Sequence, residues 1–321
     1  DNLLAMEKLK LLATHHGLAC LQHEKPFDYV NGSGKHNNWS VCADGKNLLE
    51  PGANPSENLQ FLVFLAGLIA AVDKHADLMR VSVSSAGNDH RLGANEAPPA
   101  IVSIFLGDEL DEVVEGLIHD ETVAAHGKTR MDLGVPMLPD VLQDTTDRNR
   151  TSPFAFTGNK FEFRMCGSQQ NLSDPNVVLN TAVAEQCDEF ATLMEGKEGD
   201  EFTAAALEWV KKTLSDHHRI IFEGNGYSEE WEQEAARRGR DGDHRCRRLL
   251  AGPELQLHAL LGVVEKLKAP RFLGGRLRRP PFFFVRPGLF FAGNRANRVK
   301  PTVKWQETQR LLCIWRLVTS R

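Results

Sequence analysis

Charge splits this chain into two stretches that one fold cannot serve. Residues 240–321 hold 18 Lys and Arg against 5 Asp and Glu, a balance of +13, while residues 1–239 hold 20 against 38, a balance of −18. The net charge of −5 over all 321 residues conceals this division. At +13 the second stretch repels itself and resists compaction. Its apolar residues, such as Phe282, Phe283 and Phe284 behind two prolines, keep neither a helical nor a strand period that would bury them. Periodic apolar patterning lies in residues 1–239, so a core is expected there.

Several classes fall away. The best apolar segment, Leu59 to Val72, stops at Asp73 and Lys74, short of the ~18–20 residues that cross a bilayer. The opening DNLLAMEKLKLL has neither the basic start nor the small-residue cleavage site of a secretory signal, and it reads as the interior of a longer protein. Cys20, Cys42, Cys166, Cys187, Cys246 and Cys313 form no C-x-x-C pair, which fits reduced thiols in a cytoplasmic protein better than a disulfide scaffold or a zinc site.

A helix capped by Asp1 and ending at Gly17 is expected first. An extended stretch to Pro26, a glycine-rich turn over 31–34 and a strand over 36–43 follow. Asn54-Pro55-Ser56-Glu57 signals a helix start, with Asn54 or Ser56 as cap, and the helix should run to about Arg80. Strands are expected over 100–106 and 161–165, and helices over 108–119, 176–195 and 199–215.

Three polar clusters carry the chemistry. In HEKPFDYVNGSGKHNNWS, residues 23–40, the glycines flanking Ser33 let the backbone approach an anion. On a strand His36, Asn38 and Ser40 would share one face; a polar hairpin with solvated side chains is the alternative. In SSAGNDHRLGANEAPPA, residues 84–100, Asp89, His90, Arg91 and Glu96 lie in a Gly/Asn/Pro-rich stretch, read as a lid loop or a plain connector rather than a helix face. In DRNRTSPFAFTGNKFEFR, residues 147–164, Glu162 and Arg164 alternate with Phe161 and Phe163, setting a polar strand face against an apolar one. That pair could equally be a surface ion pair, but Arg148, Arg150 and Arg164 together favour a carboxylate or phosphate substrate. The inventory suits phosphoryl transfer from a nucleotide to an acidic small molecule.

These three motifs, in this order from Asp1 to about Gly239, resemble type III glutamine synthetase. The resemblance implies an α+β fold, a curved antiparallel sheet flanked by helices, with the active site between neighbouring subunits of a homo-oligomeric ring. It implies ATP-dependent ligation of ammonia to L-glutamate through a γ-glutamyl phosphate, with Mg²⁺ or Mn²⁺, and neither a membrane nor a nucleic-acid partner. It assigns Asn31 and Gly32 to the glutamate-holding loop, His36 and Glu162 to the metal, and Ser40 to the neighbourhood of the nucleotide. Arg91 and Arg164 correspond to substrate-binding arginines, Arg150 to a phosphate-binding one, and Glu96 to the flap glutamate that takes a proton from ammonium.

The chain departs from the family pattern in places. Asn38 stands where many members have a second His, and Ala155 where they carry a further Arg. The paired glutamates that complete the family's metal site would lie upstream of Asp1, so the chain by itself is expected to be an incompetent enzyme. A non-catalytic nucleotide-binding or assembly subunit of the same fold, and a ligase for another acidic substrate, are the alternatives. Two domains of unlike kind are expected: residues 1–239 as a partial catalytic domain, and 240–321 as a basic tail. That tail reads as out-of-frame or disordered sequence, against a basic nucleic-acid-binding appendage or a divergent domain.

Overall fold

The computed structural model describes residues 2–93, 96–121, 130–131, 141–142 and 151–239. Arg148, Arg150 and the basic stretch 240–321 lie outside the described residues.

Helix α1 (Asn2–His15) ends just before Gly17, whose φ of +71° turns the chain away. Its Leu3, Leu4, Leu9, Leu11 and Leu12 are all exposed, because their spacing spreads them around the helix instead of along one face. Strand β1 (Gly34–Trp39) follows, then the short hairpin of β2 (Cys42–Ala43) and β3 (Lys46–Asn47). Helix α2 (Leu59–Lys74) is buried almost all round, from Phe61 to Asp73. Its cap is Asn58, whose Oδ1 accepts the Phe61 N–H at 3.1 Å, not Asn54 or Ser56. Those two residues instead hydrogen-bond to each other at 2.8 Å, Asn54 at the start of a separate 3-10 turn over Pro55–Glu57 and Ser56 within it. The helix also breaks at His75, and α3 (Ala76–Val81) completes the stretch expected as one rod.

The loop expected over 84–100 is partly helical. Ser85 accepts the Asn88 N–H and starts α4 (Ala86–Arg91), which carries Asp89, His90 and Arg91. Strand β4 (Ile104–Phe105), helix α5 (Asp108–His119), and the paired β5 (Arg130–Met131) and β6 (Val141–Leu142) come next. They are followed by β7 (Phe154–Phe156), β8 (Phe161–Gly167), α6 (Ser173–Met194), α7 (Gly199–His217) and α8 (Glu229–Arg237).

The main sheet has the order β1-β8-β7-β4. The β1–β8 and β8–β7 pairs are antiparallel, but β4 and β7 run parallel, which corrects the expectation of a wholly antiparallel sheet. The sequence between β4 and β7 includes α5, and a parallel pair needs such a crossover rather than a hairpin. One sheet face is aromatic. Phe154 pairs with Phe163 and Phe156 with Phe161 in register, with ring centroids 5.8 and 5.2 Å apart, and Phe156 reaches Phe61 of α2. Each buried phenylalanine contributes about 1.5–3 kcal/mol. The same face of β1 is tied to α6: Asn37 Nδ2 donates to Asn176 Oδ1 at 2.9 Å and Trp39 Nε1 to Asn180 Oδ1 at 2.8 Å. The polar residues between these anchors are thereby turned to the other face. None of the described helices is long and apolar enough to cross a membrane.

Candidate active site

The antiparallel register of β1 and β8 sets Asn38 opposite Glu162, and it slips between Lys35 and Asn37. The extra residue lies on β8, where Arg164 and Met165 both stand opposite His36, and His36 keeps the polar face it shares with Asn38 by alternation. His36 Nδ1 then lies 2.8 Å from Glu162 Oε1, with side-chain exposures of 57% and 12%. In the neutral tautomer that donates through Nδ1 to this carboxylate, Nε2 keeps a lone pair. Ala155 on β7 is the residue opposite Glu162 on the other side, and it is fully buried.

Arg91 is buried, 3% exposed, beneath the end of β8. Its Nη2 donates to the carbonyls of Arg164, Met165 and Cys166 at 3.1–3.3 Å, and its Nε to Asn88 Oδ1 at 2.9 Å. Asn88 in turn donates to the Val83 and Met165 carbonyls at 2.6 and 2.8 Å. Burial pulls Arg91 below the usual arginine pKa, and the nearby Cys166, Glu24 and Tyr227 oppose that pull. Burial likewise pushes the Cys166 thiol up to about 12. The glycine-rich loop rests directly on this guanidinium. A Cβ on Gly32 would sit 2.4 Å from Arg91 Cγ, and one on Gly34 2.6 Å from Arg91 Nη1. Those positions admit no larger residue without displacing Arg91.

The remaining residues assigned by resemblance are spread through the same region. Asn31 is exposed beside half-buried Gly32. Ser40 donates to Asn47 Oδ1 at 2.5 Å and approaches the Asn159 carbonyl at 3.3 Å, so its hydroxyl ties β1 to β3 and to the turn before β8. Arg164 is buried and donates to the Ser152 carbonyl. Glu96 is exposed on a loop closed by the Gly93 N–H on the Pro98 carbonyl at 2.9 Å and by the Tyr227 hydroxyl on the Ala97 carbonyl. Arg150 lies outside the described residues. Sequence reasoning missed Glu24, Asn88 and Tyr227. Glu24 stood inside the first cluster, but nothing in its spacing announced that a carboxylate beside Lys25 would be buried.

Among the described residues, no group of three or more His, Cys, Asp and Glu could hold a metal ion. His36 and Glu162 nevertheless fit part of one shell. The two side chains meet at 2.8 Å, and an imidazole with a carboxylate suits Mn²⁺ or Mg²⁺.

Known proteins similar to this chain share a family. Residues 1–103 match the family model described as glutamine synthetase, catalytic domain, and residues 205–250 that of the glutamine synthetase C-terminal domain. A type-3 glutamine synthetase of Dictyostelium discoideum is 55% identical over 241 residues, 74% of this chain and 33% of the relative. Glutamine synthetases of Bacteroides fragilis and Butyrivibrio fibrisolvens are 50% and 52% identical over 244 and 242 residues, each covering 74% of this chain and 34% of the relative. The chain thus spans about a third of the length of these relatives. About three quarters of the chain is thus similar in sequence to glutamine synthetases, and parts of it match that family's catalytic and C-terminal domain models.

Proposed function

We propose that this chain is part of an enzyme that joins ammonia to L-glutamate with ATP as co-substrate, and that β1 and β8 carry part of its metal site. The single observation behind this reading is the 2.8 Å approach of His36 Nδ1 and Glu162 Oε1 across two strands of a chain whose relatives are named glutamine synthetases. His36 through an imidazole nitrogen and Glu162 through its carboxylate would hold Mg²⁺ or Mn²⁺. What such a cation supplies when bound is polarisation of a phosphoryl oxygen.

The chain's own residues do the rest. Asn31, Gly32, Arg91 and Arg164 would hold glutamate, with Arg150 and Ser40 on the nucleotide side. Glu96, on its loop, accepts the proton that ammonium must lose before its nitrogen can attack the activated γ-carboxyl. The reading includes a cytoplasmic enzyme assembled as a homo-oligomeric ring. Its test is formation of glutamine, or of γ-glutamyl hydroxamate when hydroxylamine replaces ammonia, by the product of the complete gene with ATP and Mg²⁺ or Mn²⁺. Turnover is expected. Nucleotide binding without turnover would instead favour the non-catalytic subunit, and turnover with another acidic substrate a different ligase.

A further inference from the structure

We propose that Glu24 is a positioning residue for the glutamate-binding side, a buried carboxylate that keeps the glycine-rich loop and Arg91 in one fixed arrangement; this rests on the glutamine synthetase reading above. Glu24 lies in irregular chain before β1 yet is only 6% exposed. Its carbonyl accepts the Ser33 N–H at 2.7 Å, which pins the loop at its centre. Its Oε1 accepts the Gln169 N–H at 3.3 Å, just beyond β8, while Ser33 and Ser168 join hydroxyls at 2.9 Å. One side chain and its own backbone therefore tie the loop to the end of β8.

The carboxylate occupies a slot that two glycines leave open. A Cβ on Gly87 of α4 would come within 2.6 Å of Glu24 Oε2, and one on Gly167 within 2.9 Å of Oε1. Gly32 and Gly34 leave the matching room for Arg91. Four glycines from three segments thus clear one layer, and that layer holds one carboxylate and one guanidinium. Buried charge is costly unless it is opposed. Glu24 is a carboxylate whose charge bears on Arg91, and Asn88, bonded to Arg91, also borders the Gly167 slot. Removing the charge of Glu24 leaves the Arg91 cation without that counterweight and loosens the loop that Ser33 anchors.

The test uses the complete gene product with two single variants and their combination. Glu24→Gln keeps the volume and removes the charge. Gly87→Ala pushes a Cβ onto the carboxylate, although alanine is otherwise the better helix former. Each is expected to raise KM for L-glutamate about tenfold, with kcat held within about threefold and KM for ATP unchanged. Each should also abolish most of the thermal stabilisation that L-glutamate gives the unmodified protein. The double variant should be no worse than either single one, because both act on the same group. Should Glu24→Gln fail to accumulate, Gly87→Ala carries the same readouts. A KM for glutamate within about twofold of the unmodified value overturns the positioning role, as does a uniform loss of kcat and of affinity for both substrates. If the unmodified protein forms no glutamine at any glutamate concentration, the underlying functional reading fails first.

Discussion

Replacing Gly32 by alanine should dislodge Arg91 and destabilise the fold measurably. The added Cβ would stand 2.4 Å from Arg91 Cγ and 2.9 Å from Cδ. Carbon atoms rest at about 3.5–4.0 Å, so the arginine side chain must retreat by about 1 Å. Its guanidinium bonds lie at 2.9–3.3 Å. A retreat of that size carries one or two of them beyond hydrogen-bonding range, at about 1.5–3 kcal/mol for each bond from a charged donor. The cost is then about 2–5 kcal/mol, or a Tm lower by roughly 4–20 °C for a domain of this size. Thermal unfolding followed by circular dichroism measures it. Gly67→Ala is the control, since its Cβ would meet Trp209 and Gln186 at an ordinary 3.7–3.8 Å within α2. There alanine should stabilise by up to about 1 kcal/mol. A Gly32→Ala protein that melts with the unmodified one, while Gly67→Ala melts higher, would refute the claim that the loop rests on Arg91.

The Glu223 carboxyl accepts the Leu106 and Gly107 N–H groups at 2.7 and 3.1 Å, and burial, with Asp111 and Asp108 adding to it, pushes its pKa up to about 7. A carboxyl raised in this way favours the folded state fully below its ordinary 4.5, and that contribution is lost as pH rises through about 7. Stability measured by urea unfolding should therefore fall over that window, and Glu223→Gln should flatten this part of the slope. Thiol labelling should modify exposed Cys42 first among the described cysteines and spare Cys166 and Cys187, whose burial raises their pKa values. Asp73, buried in α2, pairs with His217 at 2.7 Å and Arg219 at 3.1 Å, so Asp73→Ala should cost about 1–3 kcal/mol, read from the same urea curves.

The strongly periodic elements were legible in the sequence. Helix α5 begins and ends at the residues expected, because its acidic first turn and apolar spacing agree. Phe161 and Phe163 against Glu162 announced a two-faced β8, and the cross-strand phenylalanine pairs bear that out. Short-range competition decided the misses. Ser85 captured the Asn88 N–H and made a helix within a Gly- and Asn-rich stretch, and Asn58 outcompeted two better-looking caps. The parallel β4–β7 pair depends on a crossover that no local signal encodes. At the site, alternation placed His36 and Glu162 each on a polar strand face, but their meeting depends on the pairing of two strands more than a hundred residues apart. The glycines of the first motif were read as room for an anion; they leave room for the side chain of Arg91.

His36 and Glu162 are proposed as two donors of one divalent-cation site. Mn²⁺ binding to the complete gene product, followed by electron paramagnetic resonance, tests it most directly. His36→Ala and Glu162→Gln should each weaken binding by about tenfold or more while leaving the Tm within a few degrees, because ligands are lost from a partly exposed face. Mn²⁺ affinity unchanged in both variants would contradict the assignment.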